Sequence, residues 1–144
     1  MLEITKMTIE DYDQIKDILQ EKFDDFWTTS SLKQVLENSN NQFFVAKQND
    51  IIIGFAGVLN NIDYVEILNI VVHKEYRNQG YGKELLNAII DYAKEQEKSI
   101  VLEVNEHNEY AIELYKNAGF TQNGLRKKYY NNTDDAILMI LNLK

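Results

Sequence analysis

The sequence predicts a single α+β domain spanning residues 1–144, with a mixed, mostly antiparallel sheet of about seven strands flanked by about four helices. Two observations carry this prediction. Short runs rich in β-branched and aromatic residues, separated by polar turns, occur in both halves of the chain, and segments with helical spacing of apolar residues interrupt them. The chain has no proline and no internal repeat, so no stretch has the composition of a linker between domains.

The individual elements follow from local patterns. Leu2 and Ile4 alternate with polar neighbours and predict a short first strand, and Thr8 with Asp11 three residues later is close to a helix capping box. Helical spacing predicts helices over 9–23, around 32–36, over 81–93 and over 108–118. Extended runs predict the remaining strands at 43–47, 51–59, 64–72, 99–104, 125–130 and 136–143.

A glycine-bearing loop between a strand and a helix is the strongest candidate for a binding site. The apolar run that ends at Ile70-Val71-Val72 is followed by Arg77-Asn78-Gln79-Gly80-Tyr81-Gly82-Lys83 and then by a helical pattern. A helix start offers free backbone N–H groups and the positive end of the helix dipole, and glycines allow a phosphate to approach the main chain. The alternative is an ordinary strand-to-helix turn with solvated basic residues.

Neither of two familiar phosphate-binding loops fits these residues. The nucleotide P-loop needs Ser or Thr after Gly-Lys, and Glu84 stands there. The dinucleotide fingerprint needs a third glycine at the position of Leu85. A different class of phosphate ligand is therefore expected.

Composition limits the function further. The chain has no cysteine and two histidines, which excludes thiolate catalysis and leaves too few residues for a cysteine- or histidine-rich metal site. The net charge of −8 argues against nucleic acid as a direct partner and favours cationic substrates. No apolar run is long enough to cross a membrane, and the N-terminus lacks the layout of a signal peptide, so a cytoplasmic location without membrane association is expected.

Two separate motifs resemble those of the GNAT superfamily of N-acetyltransferases. The pattern R-x-x-G-x-G at 77–82 resembles the loop of that superfamily that binds the pyrophosphate of acetyl-CoA. The stretch Leu102-Glu103-Val104-x-x-x-Asn108-x-x-Ala111-Ile112-x-Leu114-Tyr115-x-x-x-Gly119-Phe120 resembles its later sequence block. More narrowly, residues 67–72 and Tyr129-Tyr130 are similar to those of RimI-like enzymes, which acetylate the N-terminal alanine of a ribosomal small-subunit protein.

The resemblance implies the GNAT fold, acetyl-CoA as the cosubstrate and no metal. It implies that the loop 77–83 binds the cofactor phosphates and that the main chain of Ile70, Val71 and Val72 holds the pantetheine and the acetyl carbonyl, where a strand parts from its neighbour. Asn108 would bond the cofactor arm, and its alternative role is a helix cap.

The same resemblance assigns Glu103 as the catalytic base and Tyr115 as the acid that protonates the departing sulfur. Glu103 stands in an apolar run, and a buried carboxyl is costly unless it is paired or takes up a proton. The alternatives are a glutamate on the wet face of a strand and a tyrosine of the core. Glu66 on the neighbouring strand is the reserve base on the substrate side.

Four aromatic residues complete the predicted substrate side: Phe26, Trp27, Tyr129 and Tyr130. The alternative role of Phe26 and Trp27 is to fill a gap between two helices. The alternative role of Tyr129 and Tyr130 is cross-strand packing. Two departures from the family pattern stand out, namely His73-Lys74 after the strand and the final turn at 131–135, which lies near the predicted substrate side.

The predicted reaction is direct transfer of an acetyl group to a protein N-terminus, with a basic ribosomal protein as one acceptor. The alternatives are acetylation of a small amine or a lysine side chain, and a CoA-binding module without catalysis. A purely structural role would leave both motifs unexplained.

Overall fold

Seven strands form one sheet in the computed structural model of the protein, which describes residues 2–17, 22, 33, 37, 40–130 and 133–143, with only the backbone for 128–130. In chain order the elements are β1 (Leu2–Lys6), α1 (Ile9–Ile15), β2 (Asn41–Gln48), β3 (Ile51–Asn60), β4 (Tyr64–Val72), a 3₁₀ turn (Lys74–Tyr76), α2 (Tyr81–Glu95), β5 (Ser99–Asn105), α3 (Glu109–Asn117), β6 (Thr121–Tyr130) and β7 (Asp134–Leu141).

The sheet has the strand order β1-β2-β3-β4-β5-β7-β6. All neighbouring pairs are antiparallel except β4 and β5, which run parallel and are joined through α2. This arrangement confirms the predicted mixed, mostly antiparallel sheet of seven strands. The described residues contain three α-helices, and the additional helix expected around 32–36 falls largely outside them.

Local sequence signals set the ends of several elements. Thr8 and Asp11 form the predicted capping box, since the Asp11 N–H donates to Thr8 Oγ1 and the Thr8 N–H donates to the Asp11 carboxylate. The β2–β3 hairpin turns through Asn49 and Asp50, both with positive φ, as two-residue hairpins require. Gly119, at φ +104°, follows α3 as a C-terminal stop.

The two faces of the sheet are covered by different elements. On one face, α2 and α3 bury a large cluster that includes Leu86, Ile89, Ile100 and Leu102. On the other face, α1 packs Tyr12 and Ile15, together with Met7, against Phe43, Phe55 and Val71 in a smaller cluster. Because side chains alternate along a strand, the residues between those of the large cluster face the second side.

The parallel strands β4 and β5 separate part-way along their length. Their pairing covers Tyr64 to Ile67 on β4, opposite Ser99 to Leu102 on β5, although β4 continues to Val72. The register between β3 and β4 shifts at the same level. There the Ile70 N–H donates to the Asn69 side-chain oxygen over 2.9 Å. The splay that the family resemblance implied is therefore present, and a bulge accompanies it.

The closing hairpin differs from its predicted bounds. β6 begins at Thr121, four residues before the predicted start at 125, and β7 runs over Asp134–Leu141 rather than 136–143. The polar residues of 121–124 lack the apolar alternation of a strand, and their strand conformation depends on pairing with β7. None of the helices in the described part of the chain has the length and apolar composition needed to span a bilayer.

Candidate active site

A cleft of about 380 Å³ opens where β4 leaves β5, between the N-terminal end of α2 and one side of α3. Its walls contain nine of the residues predicted as site residues: Ile70, Val71, Val72, Arg77, Asn78, Tyr81, Gly82, Asn108 and Tyr115. The strand end, the glycine loop and the last helix therefore meet in one place, although they are far apart in the sequence.

The start of α2 lies beside this cleft, which Asn78, Tyr81 and Gly82 line. Asn78 and Gly80 have φ of +64° and +87°, so the main chain turns sharply before α2. Gly80 is the N-cap and makes no side-chain hydrogen bond to the first turn of the helix. The first N–H groups of a helix have no acceptor within the helix. The helix start is thus arranged to receive an anion.

Arg77 is attached to the end of the strand. Its Nε donates to the main-chain oxygen of Val72 over 3.0 Å, which fixes the loop relative to β4. Three other predicted loop residues, Gln79, Gly80 and Lys83, line a neighbouring depression beside Leu2 rather than the cleft itself. Residues of the loop 77–83 therefore line two separate depressions, the cleft and the one beside Leu2.

Asn108 is the N-cap of α3 and also lies in the cleft wall. Its Oδ1 accepts a hydrogen bond from the Ala111 N–H over 3.1 Å and caps α3, and the same residue lines the cleft. Tyr115 likewise belongs both to the large apolar cluster and to the cleft wall. It is 6% exposed in the large cluster, with its ring 5.4 Å from that of Phe120, and it also lines the cleft.

Sequence reasoning missed four residues of the cleft wall: Tyr76, Tyr110, Ala111 and Leu114. Three of them lie on α3 and share one side of that helix with Tyr115, because residues three and four apart are neighbours on a helix. That spacing was available in the sequence. Tyr76 lies in the 3₁₀ turn, and its ring packs edge-on against Tyr81 at 6.4 Å.

The predicted bases Glu103 and Glu66 lie on the sheet face opposite the cleft. Each alternates with residues of the large cluster, so both point away from α2 and α3. Glu103 is 22% exposed rather than buried in an apolar run, which corrects the sequence expectation, and its Oε1 lies 2.8 Å from Arg126 Nη2. The alternation of β5 explains the difference, because only every second residue of the run is buried.

Glu66 of β4 pairs with Val101 of β5, and Glu103 lies two residues further along β5. Burial raises the pKa of the Glu66 carboxyl above its ordinary value, the negative charge of Glu103 raises it further, and the positive charge of Arg126 opposes the rise. A raised pKa moves a carboxyl toward the working range of a general base.

The side chains of the other four predicted substrate residues are outside the described part of the structure. Phe26 and Trp27 lie outside the described residues. Tyr129 and Tyr130 form the end of β6, of which only the backbone is described. In the described part of the chain, no group of three or more His, Asp or Glu side chains is placed to hold a metal ion.

Comparison with known proteins decides the family. Residues 12–120 match the model of the acetyltransferase (GNAT) family. The chain belongs to the GNAT family. It is therefore an acetyltransferase, and the acetyl donor of this family is acetyl-CoA.

Individual GNAT proteins resemble the chain over much of its length. The Escherichia coli K12 [ribosomal protein bS18]-alanine N-acetyltransferase is 37% identical over 102 residues, which cover 68% of this chain and 69% of that protein. The crystal structure of the ribosomal-protein-S18-alanine N-acetyltransferase from Escherichia coli matches with a TM-score of 0.90 and 28% identity, over 100% of this chain and 95% of that one.

A third GNAT structure contains the cosubstrate. An acetyltransferase of Bacillus anthracis, solved in complex with acetyl coenzyme A, is 30% identical with a TM-score of 0.69, over 78% of this chain and 68% of that one.

The cleft of the present chain fits acetyl-CoA on its own features. The uncapped start of α2 suits the pyrophosphate, and a Cβ at Gly82 would approach the Tyr110 hydroxyl to 3.2 Å, so a glycine keeps this passage open.

Proposed function

We propose that the protein transfers an acetyl group from acetyl-CoA to the free α-amine of a protein N-terminus, and that a basic ribosomal protein is the acceptor in the cytoplasm. The names of the Escherichia coli relatives support this acceptor, since both are ribosomal-protein-alanine N-acetyltransferases. The net charge of −8 supports a basic acceptor, because an acidic protein attracts cationic chains.

The observation that carries the proposal is the division of the site by the sheet. The cofactor cleft, with Tyr115, lies on the side of α2 and α3, and Glu66 and Glu103 lie on the opposite side. Beyond Ile67 the strands β4 and β5 no longer pair, and in this proposal the gap between them connects the two sides. An amine that enters from the carboxylate side would therefore meet the acetyl group at the gap.

The cleft residues have separate roles in this proposal. The loop 77–83 binds the phosphates, Asn108 bonds the cofactor arm, and the main chain beyond Ile67 holds the acetyl-bearing end. The Ile70 N–H already donates to Asn69 and the Val72 carbonyl already accepts from Arg77 Nε, so this task falls to other main-chain groups of the segment. Tyr115 protonates the departing sulfur, and a carboxylate of the Glu66–Glu103 pair takes the proton of the amine.

The chemistry favours an α-amine over a lysine side chain. Ordinary pKa values of about 7.7–8.0 and about 10.4 leave roughly a third of α-amines neutral near pH 7.5, but only about one lysine in a thousand. That difference amounts to about 3 kcal/mol. A carboxylate is better matched to the less basic amine, because the proton moves more readily between groups of similar pKa.

Two matched peptides test the acceptor. The first has a free N-terminal alanine and a tail whose positive charges are all arginine. The second has the same tail and a blocked N-terminus, with one internal lysine. Acetylation is followed by mass spectrometry with equal peptide and acetyl-CoA concentrations. We expect the first peptide to react faster.

Faster acetylation of the blocked peptide would overturn the α-amine assignment and leave membership of the GNAT family intact. A third peptide, with a free N-terminal alanine and an acidic tail, tests the charge preference. It should react more slowly than the arginine peptide at low salt, and the difference should shrink as the salt concentration rises.

A further inference from the structure

Three charged side chains from three different strands lie on the sheet face opposite the cofactor cleft: Glu66 of β4, Glu103 of β5 and Arg126 of β6. The strand order places β7 between β5 and β6, so the Arg126 side chain must cross β7 to reach Glu103. Arg126 pairs with Ala136 on β7, and this small side chain leaves room for the crossing.

The contact between Arg126 and Glu103 is direct. Arg126 Nη2 lies 2.8 Å from Glu103 Oε1, and the two side chains are 53% and 22% exposed. Charge-assisted hydrogen bonds of this length hold both partners in a defined orientation. The ion pair therefore gives the Glu103 carboxylate a fixed partner.

Glu66 has different surroundings, since it forms no ion pair with any residue in the described part of the chain. Burial raises the pKa of its carboxyl, Glu103 raises it further and Arg126 lowers it. When two carboxylates lie close together, one of them takes up a proton more readily than an isolated one.

Few other charges face this pair from the neighbouring described strands. Their partners on the adjacent strands are apolar: Leu59 on β3 opposite Glu66, Val101 on β5, and Leu138 on β7 opposite Glu103. On the same sheet face, Asp11 of α1 is paired with Lys47 of β2.

Two further cations follow Arg126 along β6. The next residue is Lys127, which is exposed, and after it comes Lys128, of which only the backbone is described.

We infer that Arg126 is a positioning residue of the acetyl-transfer site: its ion pair holds Glu103 as a fixed negative charge and leaves Glu66 to accept the proton of the acceptor amine. This inference rests on the proposed function. It assigns to Glu66 the role that the family resemblance gave to Glu103.

The reaction balances with these groups. The bond from the amine nitrogen to the acetyl carbon forms as the carbon–sulfur bond breaks. The proton lost by the nitrogen goes to the Glu66 carboxylate, and Tyr115 gives a proton to the thiolate. Glu66 then releases its proton to water and Tyr115 regains one. Glu103 and Arg126 keep their charges throughout.

The pH dependence of kcat/KM separates the three residues. Glu66→Gln should lower the rate by about 10²–10⁴-fold and remove the acidic limb, as expected for loss of the proton acceptor. Glu103→Gln should keep the limb and move it to lower pH, because the charge that raises the Glu66 pKa is gone. A Glu103→Gln enzyme without an acidic limb, beside a Glu66→Gln enzyme that keeps one, would overturn the inference.

Arg126→Gln should move the same limb to higher pH, because the positive charge that lowers the Glu66 pKa is lost. The expected result is about a threefold to tenfold lower rate on the acidic limb, with little change above it. Arg126→Lys should restore most of the wild-type profile. Lys127→Gln removes the same charge from the same strand and should leave the limb in place. Equal profiles for Arg126→Gln and Lys127→Gln would overturn the role of Arg126.

A measurement without substrate tests the charge arrangement independently of the acceptor. Carbon-13 NMR of the glutamate carboxyl groups follows the titration of Glu66 in the unliganded protein. We expect its midpoint to rise in Arg126→Gln and to fall in Glu103→Gln. If no peptide amine is acetylated, the proposed acceptor is wrong, yet these two shifts would still support the charge arrangement. A Glu66 midpoint that is the same in all variants would refute it.

Discussion

Gly82 on α2 and Tyr110 on α3 face each other across the cleft. A Cβ built on Gly82 would lie 3.2 Å from the Tyr110 hydroxyl and 3.7 Å from Leu114 Cδ2. Tyr110 is 56% exposed, so its hydroxyl end can move aside without disturbing the core. A side chain at position 82 would therefore be compatible with folding and would still occupy the passage into the cleft.

Gly82→Val should abolish acetyl-CoA binding, because the branched side chain fills the space beside the start of α2. Isothermal titration calorimetry measures the affinity, and circular dichroism checks the fold. Ala88→Val is the matched control, since it adds a branched residue to the same helix beside a different groove. Unchanged affinity in a folded Gly82→Val protein would remove the glycine loop from the site.

Tyr115→Phe should keep acetyl-CoA affinity and slow acetyl transfer by about 10²–10⁴-fold, the range for loss of acid–base assistance. The phenyl ring keeps its packing against Phe120, so the melting temperature should change little. Single-turnover kinetics at saturating acetyl-CoA measure the step. Tyr110→Phe, on the exposed side of the same cleft, is the control. A wild-type rate in Tyr115→Phe would leave this tyrosine with a packing role only.

Glu66→Gln should stabilise the protein at neutral pH even though it lowers activity. The pKa of Glu66 is raised in the folded state, so the folded protein binds this proton more tightly than the unfolded chain. The stability that this proton contributes is present below the unfolded-state pKa and is lost as the pH rises through the folded-state value. At pH 7 the ionised group is therefore unfavourable, and the neutral amide removes that cost.

Thermal unfolding at pH 7 and pH 4 checks this expectation. The melting temperature of Glu66→Gln should exceed that of the wild type at pH 7, and the gain should shrink at pH 4. Glu113→Gln, an exposed substitution on α3, should show neither effect. A lower melting temperature for Glu66→Gln at pH 7 would contradict the prediction.

Asp11→Asn should destabilise the protein at pH 7 by about 2 kcal/mol, the scale of a lost charged hydrogen bond at a buried position. Asp11 is 2% exposed, caps α1 with Thr8 and pairs with Lys47. Burial acts to raise the pKa of Asp11, but the hydrogen bonds from Lys47 and Thr8 outweigh it and lower the pKa. This contribution is therefore present above the unfolded-state pKa and is lost as the pH falls through the lower folded-state value.

Urea unfolding at pH 7 and pH 3 measures the effect of Asp11→Asn, which should be smaller at the lower pH. Asp13→Asn is the control on the same helix, because its pair with Lys16 is at the surface, 3.4 Å apart. Exposed pairs contribute about 0–1 kcal/mol. Equal losses in the free energy of unfolding for the two variants at pH 7 would contradict the stabilising role of the buried Asp11 carboxylate.

Patterns within a few residues of one another were readable from the sequence. The cap at Thr8, the cap at Asn108, the glycine loop and the runs that became strands all depend on short spacings, and the structure contains each of them. The two motifs also predicted the family, because both belong to single strand–loop–helix units. The strand at 121–124 was not readable, since its polar residues become a strand only beside β7.

The sequence by itself thus determined most of the described strands and helices, their order and the family. Only the tertiary structure decided which carboxylate is paired. Glu103 and Arg126 meet across β7 because of the strand order β5-β7-β6, and no local spacing encodes that order. The raised pKa of Glu66 likewise depends on burial and on charges from two other strands. Electrostatic surroundings are set by distances through space, and the fold alone fixes those distances.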